Sequence, residues 1–131
     1  MAIYPLEDFK QLVRSCKWTY FNERRPLFHL ENLEWGDEEL ADVLCSLEPE
    51  DFKKSFMNQI VHNLPGIDTV DTDSYVINWD YDEWVRRSYA WVSGRNFPIS
   101  TLELFFKIAI LQNEKGQMAG VVSFHPSNSA N

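Results

Sequence analysis

Chemistry in this sequence starts with "LEPEDFKKSF", residues 47–56. Lys53 and Lys54 stand side by side between Phe52 and Phe56. They follow a segment, Glu31 to Asp51, with nine acidic residues and no Lys or Arg. Adjacent cations at that place have two readings. They can complement a helix dipole opposite Pro49, Glu50 and Asp51. Alternatively, one lysine packs its stem and holds its ammonium fixed, as a phosphate-binding group requires.

Other chemistries lack their spacing. His29, His62 and His125 form no HExxH, and Cys16 and Cys45 have no CxxC or CxxH partner, so no zinc site is expected. The chain contains no GxxxxGK[ST], GxGxxG or GxSxG, which removes the warrant for nucleotide or α/β-hydrolase chemistry. Asp68, Asp71 and Asp73 alternate like the first half of a calcium loop. The Gly and distal Glu of an EF-hand are missing, and the segment reads as a solvated acidic loop.

The elements that must position Lys53 and Lys54 are mostly legible. "PLEDFKQLVRSCKW" predicts an amphipathic helix with Leu6, Phe9, Val13 and Cys16 on one face and Pro5 at its start. "KWTYF" is a short strand candidate. "RRPLFHLENLEW" is helical from Pro26. "GDEELADVLCSL" is a helix with Asp37 as cap and a stripe of Leu40, Val43, Leu44 and Leu47. "EPEDFKKSF" predicts a further helix from Pro49, with Phe52 and Phe56 facing the core together. "NLPGIDTVDTDSYVINWD" reads as loop and short strand. "DYDEWVRRSYAWVSG" reads as a helix burying Trp84 and Trp91 or Val92 and exposing Arg86 and Arg87. "TLELFFKIAIL" and "QMAGVVSFH" flank "QNEKG" as a β-hairpin, and "PSNSAN" is a frayed tail. Helices first and strands last imply an α+β fold.

Length and composition bound the rest. At 131 residues and 44% hydrophobic, the chain is expected to form a single domain with a real core. Its longest apolar run is too short to span a bilayer, and its first residues lack a charged-then-apolar leader pattern. The two cysteines read as buried free thiols of a reducing cytosol, with a disulfide as the alternative. A net charge of −8 argues against a general nucleic-acid binder. It leaves room for a local basic patch, because salt confines charge effects to roughly 8 Å.

"LEPEDFKKSF" resembles the pattern L-[ST]-x-x-D-F-[YK]-K-S-M of the MqsR family, the mRNA interferase toxins of a type II toxin–antitoxin system. "YPLEDFKQLV" is similar to that family's N-terminal L-x-x-[IV]-K-x-L-V helix. "LFFKIAIL…VVSF" is similar to its closing hairpin, VYLKITV…LIVSFK. The resemblance runs from about residue 4 to residue 125, with residues 65–101 as an insertion.

The resemblance implies a RelE-like fold, in which N-terminal helices pack on a twisted, mainly antiparallel sheet ending in the hairpin. It implies cytoplasmic, metal-independent cleavage of single-stranded mRNA with no cofactor, and a cognate antitoxin as partner. The ribose 2′-hydroxyl attacks the adjacent phosphate, and the protein positions the strand, moves protons and stabilises charge. By position, the motif's second Lys falls on Lys54 and its downstream His on His62. The terminal Lys after "VSF" falls on His125, an acid or base near neutral pH. The hairpin Tyr falls on Phe105, which lacks the hydroxyl. If Trp84 matches the family's Trp, Val85 stands where the family has Gln. Lys53, Arg86, Arg87, Arg95 and Lys107 are the cations expected to hold RNA. Lys54 is expected in a cleft with His125 near it and Lys107 or an Arg within reach. Two other readings accompany this one: a degenerate module of the same fold that binds proteins, and an acidic immunity or inhibitor protein that covers a basic partner.

Overall fold

The computed structural model describes residues 1–22, 26, 35–80 and 101–126. Pro26, where a helix is expected to begin, is helical and buried; residues 27–34 after it, the segment with Trp84, Arg86, Arg87, Trp91 and Arg95, and residues 127–131 lie outside the described residues. Bounded within the described residues are two helices, α1 (Leu6–Arg14) and α2 (Asp37–Cys45), and five strands: β1 (Trp18–Tyr20), β2 (Phe52–Ile60), β3 (Thr69–Asp80), β4 (Thr101–Asn113) and β5 (Gly116–Pro126). The strands form one mixed sheet in the order β1-β5-β4-β3-β2. All pairs are antiparallel except β1 with β5. The expected α+β class is therefore what the chain adopts.

Apolar spacing explains the helix side. Phe9 and Val13 of α1 and Leu40, Val43, Leu44 and Leu47 in and after α2 are buried in one cluster with Tyr75, Leu104, Phe106, Ile108 and Phe124 of the sheet. Pro5 precedes α1 as its N-cap, and Glu7 and Asp8 occupy the first turn, where the helix dipole favours negative charge. Gly36 rather than Asp37 precedes α2; the Asp37 Oδ1 instead accepts a hydrogen bond from the Tyr20 hydroxyl at 2.7 Å. Cys16 lies past the end of α1, exposed and at φ 59°, and Cys45 is half-buried; both thiols are free, so the expected buried pair is corrected. The hairpin forms as expected. Glu114 and Lys115 make its turn, and Gly116 at φ 115° supplies a backbone conformation that L side chains rarely adopt.

Two expectations fail. Residues 52–56 are not helical. A single 3-10 turn at Pro49–Asp51, closed by the Glu48 amide donating to Asp51 Oδ2 at 2.8 Å, leads directly into β2. Residues Thr69–Asp80, read as loop and short strand, form one twelve-residue strand between β2 and β4. The supposed acidic loop is also corrected. Asp73 is fully buried, and its carboxylate accepts hydrogen bonds from the Ile3 amide (3.0 Å), the Tyr4 amide (2.8 Å) and the Ser55 hydroxyl (2.6 Å). The Tyr4 hydroxyl donates to the Asp71 carbonyl at 2.7 Å. The chain's first residues are thereby strapped to β3.

A smaller cluster of Phe21, Val61, Val70, Ala109 and Val122 covers part of the sheet's second face. There the Phe21 ring lies so close to Gly120 that an added Cβ would overlap it. Gly120→Ala is accordingly expected to destabilise the fold by about 1–3 kcal/mol. Urea denaturation checks this; an unchanged midpoint would mean that Phe21 moves aside freely.

Candidate functional site

Why two lysines are adjacent follows from the register of β2. Phe52 pairs with Tyr75 and Ser55 with Asp73, so two residues, Lys53 and Lys54, oppose the single Ser74. A second irregularity falls between Phe56 and Gln59, where Asn58 adopts φ 54° and its amide donates to Asp71 Oδ1 at 3.0 Å. Each extra residue reverses the inside–outside alternation of the strand. Phe52 therefore faces the helix-side core and meets Tyr75 edge-on, 5.7 Å between centroids. Phe56 points to the opposite face, which corrects the expectation that both rings share the core.

On that second face two ammoniums converge on one ring. Lys54 Nζ lies 4.6 Å from the Phe56 centroid, and Lys107 Nζ, from β4, lies 4.2 Å from it. Lys107 also donates to Gln59 Oε1 at 2.7 Å. Burial, and in second place the Lys54 ammonium, hold the Lys107 pKa below the usual lysine value. Cation–π contact with each Nζ favours charge over the ring, worth about 0.5–1 kcal/mol at exposed sites. It does not cancel the mutual repulsion, and among the described residues no carboxylate forms an ion pair with either ammonium. An anion is what would neutralise the pair.

Lys54, Ser74, Lys107 and Ser123 line up across four strands, because Ser74 pairs with Lys107 and Lys107 with Ser123. The next rung on this face is the pair Phe105 and His125, stacked at 4.9 Å with 23° between planes. Two residues along a strand is about 7 Å. A bulge in β5 between the partners of Lys107 and Ile108 makes Val122 the extra residue and brings His125 to this side.

Of the expected site residues, Lys54, Lys107 and His125 thus share one face. Lys53 is exposed in the bulge and joins neither cation–ring contact. His62 is exposed beyond the end of β2, where its amide donates to Asn22 Oδ1 at 2.9 Å, and it is not part of the Lys54 group. Arg86 and Arg87 lie outside the described residues. Phe56, Gln59 and Ser74 were not foreseen. The four-residue spacing from Phe52 points Phe56 to the core, and the bulge at Lys53 and Lys54 turns it to the other face. Among the described residues no three His, Cys, Asp or Glu side chains group as metal ligands, and no helix is long and apolar enough to cross a membrane. Neither a family model, nor a curated protein, nor a solved structure matches this chain.

Proposed function

We propose that the chain is an endoribonuclease of RelE-like fold that cuts single-stranded mRNA without a metal and acts in the cytoplasm as the toxin of a type II toxin–antitoxin pair. The convergence of Lys54 and Lys107 over Phe56 is the observation that carries this reading. In-line attack of a 2′-hydroxyl on phosphorus gathers charge on the non-bridging oxygens. Two ammoniums held over one ring from separate strands suit that charge. His125, on the same face, is the acid–base group placed to move a proton. The bond formed is 2′-O–P and the bond broken is P–5′-O. The proton leaves the 2′-hydroxyl and one is delivered to the 5′-oxygen, which leaves a cyclic phosphate and a free 5′-hydroxyl. The Phe105–His125 stack offers a flat surface to an unpaired base.

Expression in a bacterial host, with growth and RNA integrity followed, tests the reading. Arrested growth with fragmented mRNA is expected, and unimpaired growth with intact RNA would overturn it. Phe105→Tyr is expected to raise the cleavage rate, because it places a hydroxyl beside His125 on the phosphate-holding face. Equal rates for the two proteins on a labelled oligoribonucleotide would show that the hydroxyl is not what the site lacks.

A protein-binding role is favoured by one observation. β2 lies at the edge of the sheet, and Met57 and Ile60 on it are 53% and 64% exposed. An exposed strand edge with apolar side chains suits pairing with another chain, and on the toxin reading the cognate antitoxin would be that partner.

A further inference from the structure

Ser74 is fully buried, yet it lies in the row between the two lysines. Its hydroxyl does not serve its own strand. Ser74 Oγ donates to the Lys54 carbonyl at 2.7 Å and accepts from the Lys54 amide at 3.2 Å. Opposite a bulge the ladder is disrupted and one residue loses its regular backbone partners. Here a side chain takes their place and clamps both polar groups of a single residue. Lys54 is that residue, and its ammonium meets Lys107 over Phe56. Lys107 is the β4 partner of the same serine.

We propose that Ser74 is a positioning residue: its hydroxyl fixes the backbone of Lys54 in the bulge so that the Lys54 and Lys107 ammoniums close on a single phosphodiester. The inference rests on the ribonuclease reading only for the identity of that anion. The clamp itself is a claim about where Lys54 points. Serine suits the position because it is small enough for both lysines to lean over it and still carries a hydroxyl. Alanine would leave room without the clamp.

The test follows Lys107 rather than stability. Its side-chain resonance, assigned by its loss in Lys107→Arg, is titrated by NMR in wild type, Lys54→Met and Ser74→Ala. Lys54→Met is expected to raise the Lys107 midpoint toward the usual lysine value, since a neighbouring cation is gone. Ser74→Ala is expected to reproduce that rise, because Lys54 is released from the ring. Cleavage by Ser74→Ala is expected to fall roughly 10–100-fold, chiefly in kcat, as misplacement of a charge-holding group does. If Ser74→Ala fails to fold, Ser74→Cys keeps the volume, weakens both bonds and is read in the same way. A Lys107 midpoint that moves in Lys54→Met but not in the serine variants overturns the proposal. A midpoint unmoved even in Lys54→Met overturns it too, since the ammoniums would not then converge. If the midpoints move as expected while wild type cuts no RNA, the clamp stands and the ribonuclease reading falls.

Discussion

On the proposed ribonuclease reading, Lys54→Ala is expected to lower the rate of RNA cleavage by about 10²–10³-fold, the usual loss when one fixed donor to a developing oxyanion is removed. The residue is exposed, so the fold is left within about 0.5–1 kcal/mol of wild type, including the lost contact with Phe56. Lys107 already gives one of its three N–H donors to Gln59 Oε1, which limits how far it makes up for the loss. The chain's net charge of −8 repels RNA at long range, yet within roughly 8 Å the lysine row dominates at physiological salt. Cleavage is therefore expected to weaken as salt rises, and more steeply in wild type than in Lys54→Ala. A labelled oligoribonucleotide at matched ionic strength provides the measurement. If the two proteins cut equally fast, the lysines of "DFKKSF" are surface charge and the reading loses its support.

Asp73→Ala is expected to cost ~3 kcal/mol or more. Three donors converge on this buried carboxylate: two amides of the N-terminal strap and the Ser55 hydroxyl beside the lysine bulge. A donor left without its acceptor in a buried place loses about 1–3 kcal/mol, and bonds to a charged acceptor are the stronger kind. Water reaching the strap recovers part of this, which is why the expectation lies well below the sum. The midpoint of thermal unfolding should fall by on the order of 10 °C. Exchange protection at the Ile3 and Tyr4 amides should fall with it. Asp73→Asn retains an acceptor oxygen and should fall between the two. A melting temperature within a degree of wild type for Asp73→Ala would return residues 68–73 to the status of a solvated acidic segment.

Local signals revealed the parts of the fold governed by local chemistry. The stripes of α1 and α2 bury Phe9, Val13, Leu40, Val43, Leu44 and Leu47, although Cys16 falls past α1 and is exposed, and the β-prone run of β1 and the glycine-closed hairpin form where their residues place them. β2 was hidden for a definable reason. Phe52 and Phe56 are four apart, Pro49, Glu50 and Asp51 look like a helix start, and bulges insert residues that break the two-residue alternation by which strands are recognised. β3 was obscured because its first half, "TVDTDS", carries a single apolar residue, Val70, among polar ones. Thr72, Asp73 and Ser74 are nonetheless all buried. A carboxylate that accepts backbone amides some seventy residues away leaves no mark in its own neighbourhood. For the same reason Lys54 and Lys107 could be named singly, but not their meeting over Phe56, which depends on register across three strands.

The parallel pairing of β1 with β5 joins residues 18–20 to residues 119–121, which sets a timetable for synthesis on the ribosome. Translation delivers α1, β1 and Lys54 early, but the strand that pairs with β1 among the described residues is β5, made about a hundred residues later. Contacts of such sequence separation form late and slowly. His125 arrives on that same strand. A nascent chain therefore cannot assemble the Lys54–Lys107–His125 face before residues 116–126 have been made and have emerged. If the face cuts mRNA, the template being translated is spared until β5 has left the tunnel.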